Sequence, residues 1–226
     1  MTIRQTRARR TIARTIASES DLATVLRALK RSCPHMQRAH AAAGDPPLRR
    51  WSSGFDGLAR IVIAQQLSTA SAAAIAGRLK IAVDPLDAVN LMAADDETLR
   101  SAGLSAGKIA TLRAVANAVQ TGQLDFDALM IAPEQVVREQ LTALRGIGPW
   151  TADIYMLFCQ GHSDAFAPGD LALQIAVQML LELPTRPTPA ELEAIAERWR
   201  PWRGGAARLL WAYYGAAKAG PGSKTC

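Results

Sequence analysis

The chain has 226 residues, 49% of them hydrophobic and 20% charged, so one domain or two closely packed lobes with a real core are affordable in length. The formal charge is +6, but Arg4, Arg7, Arg9, Arg10 and Arg14 place five of those charges in an acid-free stretch over residues 1–17, leaving only +1 for the rest. A generally basic, sequence-blind nucleic-acid binder is thereby excluded, and DNA contacts in the body have to come from local clusters and backbone donors.

That stretch reads as a basic flexible tail over 1–17: a solvated terminus, a non-specific DNA-binding arm or, more weakly, an organelle transit peptide. No secretory h-region and no apolar run of about 20 residues is present, so no membrane partner is expected. The expected location is the cytoplasm, with the nucleoid, or the nucleus or an organelle if the source is eukaryotic. Cys33, Cys159 and Cys226, with His35, His40 and His162, show no metal-ligand spacing; no metal site and no cofactor is expected.

Helical periodicity dominates. Asp21 is placed to cap a helix carrying Leu22, Val25, Leu26 and Leu29, ended by Pro34, and Gly44-Asp45-Pro46-Pro47 is a linker. Phe55, Leu58, Ile61 and Val62 give helical spacing up to Gln65-Gln66, and the alanine-rich stretch to Leu79 continues in helix. Short helices follow over 86–92 and 95–99, then one from Ile109 to Val119, ended by Gly122, and another over 133–144. Leu144-Arg145-Gly146-Ile147-Gly148-Pro149-Trp150 is a tight turn with little side chain, and Thr151 opens an apolar helix through Phe158. Such a turn lets backbone amides approach a phosphate, with a helix N-terminus behind them. Pro168-Gly169-Asp170 then presents a carboxylate ahead of the apolar helix 171–181, where a helix dipole favours negative charge. The last two helices span 189–199 and 204–217, and strand-type alternation is scarce. The expected fold is all-α, with roughly ten short helices.

The hairpin Leu144–Trp150, the Asp170 corner and Ile63-Ala64-Gln65-Gln66-Leu67-Ser68, in this order and spacing, resemble the helix-hairpin-helix DNA glycosylases, most of all the 3-methyladenine DNA glycosylase II branch. Gly103-Leu104-Ser105 with Lys108, and Glu197 to Arg203, extend the likeness over about residues 20–217. The resemblance implies two helical lobes with the active-site cleft between them. Lobe one would be 51–149, and lobe two 18–50 plus 150–226, within one glycosylase unit over 18–226. It implies a monomeric enzyme that flips a damaged base out of double-stranded DNA and hydrolyses its N-glycosidic bond, excising alkylated purines in base excision repair.

Residue by residue, the resemblance makes Asp170 the catalytic carboxylate, with an ordinary helix cap as the alternative. Asp164 would support the loop. Trp150 and Trp211 would line the base pocket, where indoles favour cationic bases. Gln66, or less readily Gln65, would fill the gap left by the flipped nucleotide. Gly146, Ile147, Gly148, Thr151 and Ser68, with Thr69, would contact DNA. Trp150 stands where relatives that also cut the strand carry a lysine nucleophile, which implies hydrolysis by water alone. Ile154 and Leu171 occupy positions of pocket tyrosines, and Tyr155 is expected to face elsewhere. Arg198, Arg200 and Arg203 with Trp199 and Trp202 read as a solvated basic face with packed indoles rather than a DNA grip. A monovalent cation on hairpin carbonyls is compatible with the sequence. Two rival readings stand beside the enzyme: a non-catalytic helix-hairpin-helix DNA-binding module, and a glycosylase for a different damaged base.

Overall fold

The computed structural model describes residues 15–219. The basic tail therefore lies almost wholly outside the described residues. Thirteen α-helices are present among them, and the extended structure is a single bridge between Thr15 and His162. The all-α expectation holds.

The first helix, α1 (Glu19–Ser32), starts one step earlier than Asp21 suggests. Ser18 is the cap, and Asp21 closes a capping box by accepting the Ser18 amide. Pro34 does not simply end this segment; it is the first residue of α2 (Pro34–Ala43), where its missing N–H costs nothing.

The alanine-rich stretch is two helices rather than one. α3 (Phe55–Ala64) ends at Gln65, Gln66 adopts a left-handed backbone (φ +57°), and Ser68 caps α4 (Thr69–Ala82) through the Ser71 amide. Ser68 supplies the interruption: its side chain replaces the helical hydrogen bond that a continuous α3–α4 would need. Four short or medium helices follow: α5 (Ala88–Ala93), α6 (Asp96–Ser101), α7 (Ala106–Gln120) and α8 (Phe126–Ile131).

α9 (Glu134–Thr142), the Gly146–Gly148 turn and α10 (Pro149–Tyr155) form the helix-hairpin-helix. The chain then widens into a π-helical turn over Met156–Gln160, ended by Gly161 at positive φ. α11 (Leu171–Leu181), α12 (Pro189–Ala196) and α13 (Arg203–Ala219) complete the chain.

Contacts sort the helices into two groups. α3 packs on α4 and α7, α5 on α7, and α10 on both α3 and α9. α13 packs on α1, α2 and α11. α10 packs on the segment before it and runs directly into the π-helical turn that follows. Leu58, Ile61, Ile63, Leu112 and Leu141 are fully buried in the first group, and Leu26, Met36, Val177 and Leu209 in the second. Burial on this scale, about 25 cal/mol per Å² of apolar surface, is the main force holding both together.

Candidate active site

α11 begins at Asp170 because its carboxylate caps the helix, Oδ1 accepting the Leu173 amide at 3.0 Å. The loop before it is fixed from two sides. The Asp170 amide donates to the Ala167 carbonyl, and the buried Gln174 side chain donates to the Pro168 carbonyl. Two indoles reach the same carboxylate. Trp150 Nε1 donates to Oδ2 at 2.9 Å and Trp211 Nε1 donates to Oδ1 at 3.0 Å. Three chain segments thus meet at one anion: α10, the start of α11, and α13. All three side chains remain partly exposed.

Behind Trp211 stands an aromatic wall. Phe158 stacks on Trp211 with centroids 5.4 Å apart, and Trp51 lies 4.8 Å from Phe158. Neither Trp51 nor Phe158 was legible as a site residue. Their meeting depends on the π-helical turn and on the Trp51 amide donating to the Phe158 carbonyl.

The two glutamines have different surroundings. Gln65 points inward, donating to the Gly146 carbonyl at 3.2 Å and to Thr151 Oγ1 at 2.9 Å. It braces the hairpin in this structure. Gln66 is exposed on its left-handed backbone. Lys108 holds the same turn from the other side, donating to the Ile63 carbonyl at 2.6 Å.

The hairpin residues also differ in exposure. Thr151 is 2% exposed and its hydroxyl accepts from Gln65, so it offers no side chain to a phosphate. Ile147 is buried, and its amide already donates to the Leu144 carbonyl. Gly146 and Gly148 carry the accessible backbone. Gly146 has φ +81°, and a Cβ there would lie 2.0 Å from Thr111 Oγ1. Gly146→Ala is expected to cost about 2 kcal/mol from backbone strain and overlap, read as a lower urea midpoint at unchanged slope. Ser68 is exposed but engaged as a cap, paired with Ser71.

Ile154 is buried and Leu171 is 53% exposed, one residue from the carboxylate. Tyr155 is sealed inside and donates to the Ser53 carbonyl, as its helix position suggests. Burial pushes its phenol well above the usual range.

The basic-aromatic segment is a strap. Arg203 is 2% exposed and pairs with Asp164, Glu193 and Glu197. Arg200 also pairs with Asp164 and with Glu197, which raises its own proton affinity, the Glu197 hydrogen bond first. Asp164 therefore ties the loop before Asp170 to the start of α13. Trp199 is buried against Phe166. Arg203 is thus neither solvated nor free to grip DNA, and Arg198 is exposed, its Nε donating to the Ile195 carbonyl.

Two surface cavities lie elsewhere. One, about 590 Å³, is lined by residues including Arg78, Asp95 and Thr98; the other, about 490 Å³, by residues including Arg27, Lys30 and His40. Among the described residues no three His, Cys, Asp or Glu side chains are grouped to hold a metal ion, and no helix is long and apolar enough to cross a membrane.

Comparison with known proteins adds to this geometry. The chain is 31% identical over 165 residues to DNA-3-methyladenine glycosylase 1 of Schizosaccharomyces pombe, covering 70% of this chain and 71% of that protein. It is 35% identical over 165 residues to a probable bifunctional transcriptional activator/DNA repair enzyme of Mycobacterium tuberculosis, covering 67% of this chain and 32% of that longer protein. The solved structure of the S. pombe 3-methyladenine DNA glycosylase in complex with abasic DNA superimposes with a TM-score of 0.77 at 25% identity, over 90% of this chain and 100% of that one. The family described as HhH-GPD superfamily base excision DNA repair protein matches residues 59–201, spanning α3 to the strap, and the chain belongs to that family.

Proposed function

We propose that this protein is a monofunctional DNA glycosylase that excises alkylated purines, the 3-methyladenine and 7-methylguanine type, in base excision repair. The observation that carries this reading is the Asp170 carboxylate, held by the Leu173 amide and by two partly exposed indole N–H groups. The relatives named as 3-methyladenine glycosylases support the substrate class.

The hairpin glycines grip the phosphodiester backbone without reading sequence, and Gln66 fills the space left by the everted nucleotide. Trp150 and Trp211 flank the base. As the glycosidic bond breaks, positive charge builds on the sugar, and the fixed anion of Asp170 stabilises it. The same carboxylate orients the attacking water. The partner is damaged double-stranded DNA, engaged by one copy of the chain.

Trp150 carries no amine, so no covalent link to the sugar forms. Duplex DNA treated with a methylating agent should yield free methylated purines and an intact strand with abasic sites. Borohydride added during turnover should trap no protein–DNA adduct. A trapped adduct would contradict the hydrolytic reading, and binding without base release would replace the enzyme with a DNA-binding module.

A further inference from the structure

Arg208, which the chemistry above leaves unused, holds the π-helical turn and the aromatic wall at once. It sits on α13, three residues before Trp211 and so on the same side of that helix. Its side chain is buried, the residue being 4% exposed. Nη2 donates to the Leu157 carbonyl at 2.7 Å, and the guanidinium carbon lies over the Phe158 ring, 4.7 Å from the centroid. That ring stacks on Trp211 at 5.4 Å, and Trp211 Nε1 donates to Asp170 Oδ1 at 3.0 Å. Nε and Nη1 of Arg208 are buried with no partner among the described residues. Burial, and then the like charges of Arg50 and Arg49, lower the Arg208 pKa to about 10, so it stays cationic at neutral pH.

The π-helical turn needs such a group. In a continuing helix the Leu157 carbonyl would accept from the amide of Gly161 or of His162. Both of those amides donate to the Met156 carbonyl instead. Leu157 is fully buried, so its carbonyl has to find a donor outside the helix, and Arg208 supplies it. The next carbonyl, that of Phe158, is taken by the Trp51 amide at 2.9 Å. The wide turn is thus held from outside on two consecutive carbonyls. A methionine would fill the space of Arg208 without two orphaned buried donors, so stability alone does not call for the arginine. We propose that Arg208 is a positioning residue: it fixes the turn and the Phe158 ring, and through that ring the angle from which the Trp211 N–H reaches Asp170. The proposal rests on the glycosylase reading and adds to its machinery a residue that acts without touching the substrate.

Loss of the guanidinium acts along a short path. The Leu157 carbonyl loses its donor, and Phe158 loses the cation over its face. Trp211 stacks on that ring, so a shift of the turn rotates the indole. Its bond to Oδ1 then weakens, and Asp170 keeps only the Leu173 amide and Trp150 to hold its carboxylate. The grip on DNA lies elsewhere, on the hairpin backbone and Gln66. Binding should therefore hold while the chemical step slows. Misplacing a catalytic group by about 1 Å costs on the order of 10²-fold in rate, and a partial shift should cost roughly thirtyfold.

The test uses the full chain and a duplex oligonucleotide carrying one N7-methylguanine. In single turnover, Arg208→Met should lower the saturating rate about thirtyfold and leave the enzyme concentration at half-saturation within about threefold. Arg208→Lys, which keeps a donor and a cation, should recover most of the rate. In the proton–nitrogen spectrum the Trp211 indole signal, identified by its loss in Trp211→Phe, should move upfield in Arg208→Met and return in Arg208→Lys. Phe158→Leu cuts the same path one link later. It should reproduce both effects, and added to Arg208→Met it should cause no further loss. It also carries the test if Arg208→Met does not fold. An unchanged rate, an unmoved indole signal, additive losses in the double variant, or half-saturation rising in step with the fall in rate would each overturn the proposal. Wild type that releases no methylated purine would overturn the glycosylase reading instead, and the indole signal would still show whether Arg208 sets the Trp211–Asp170 bond.

Discussion

Asp170→Asn is expected to slow base release from methylated duplex DNA about 10³-fold while leaving the fold intact. The two consequences separate because the side chain has two jobs. As a cap it needs only an acceptor for the Leu173 amide, and the asparagine carbonyl supplies one. It also continues to accept from Trp211. The amide nitrogen then faces the Trp150 indole N–H, donor against donor, so one hydrogen bond is lost. That costs about 1 kcal/mol of stability, with partial exposure limiting the penalty. Catalysis loses the charge itself. A preorganised group opposite developing transition-state charge is typically worth 10² to 10³ in rate when removed, and a full anion beside an oxocarbenium-like sugar belongs at the upper end. Single-turnover release of methylated purine, paired with a urea melt, reads both quantities. A variant within tenfold of wild type would remove Asp170 from the chemistry.

How much of this was visible beforehand depended on the range of the interactions. Asp170 was legible because its signals are adjacent: a Pro-Gly corner, a carboxylate and an apolar helix. The hydrogen bonds that define its setting were not, because Trp211 lies 41 residues away and arrives only through the packing of α13 on α11. Gln65 and Gln66 are identical in type and neighbours in sequence. Backbone conformation alone divides them, one turned into the hairpin and the other carried outward by a positive φ. The break between α3 and α4 was hidden by alanine, the best helix former, and Ser68, read only as a DNA contact, turned out to cap α4. Ser18 likewise caps α1, and a serine followed three residues on by an acid is the start signal of a helix. Arg203 looked like surface charge because a single sequence does not say which acids will surround it; Asp164 is 39 residues away.

The pair that fixes the angle of the hairpin was equally silent in the sequence, and breaking it should give the largest loss of stability. Arg138 on α9 pairs with Asp153 on α10, joining the two helices on either side of the Gly146–Gly148 turn. Asp153 is 1% exposed, whereas the Arg138 side chain is 30% exposed and also holds Glu134. Burial raises the Asp153 carboxyl from its ordinary 3.8 to about 7, even against the lowering by Arg138. A folded-state pKa above the unfolded one means that the folded chain binds the extra proton. Stability therefore falls as pH rises from about 4 to about 7 and levels off above. Arg138→Met takes away the cation that holds Asp153 down, so the carboxyl shifts further up and its ionisation costs more. Removing one partner of a buried pair typically costs 3 to 5 kcal/mol, and a loss of about that size is expected at pH 8. At pH 5, where Asp153 is already largely protonated, the loss should be clearly smaller. Asp153→Asn should flatten the pH dependence in either background. Because the pair spans the hairpin, Arg138→Met should also weaken binding to undamaged duplex DNA through misaligned Gly146 and Gly148 backbone, with no change in lesion preference. Urea melts at pH 5 and pH 8, beside duplex titrations, check each part. An equal loss at both pH values would mean that Arg138 stabilises the motif by packing rather than by neutralising Asp153.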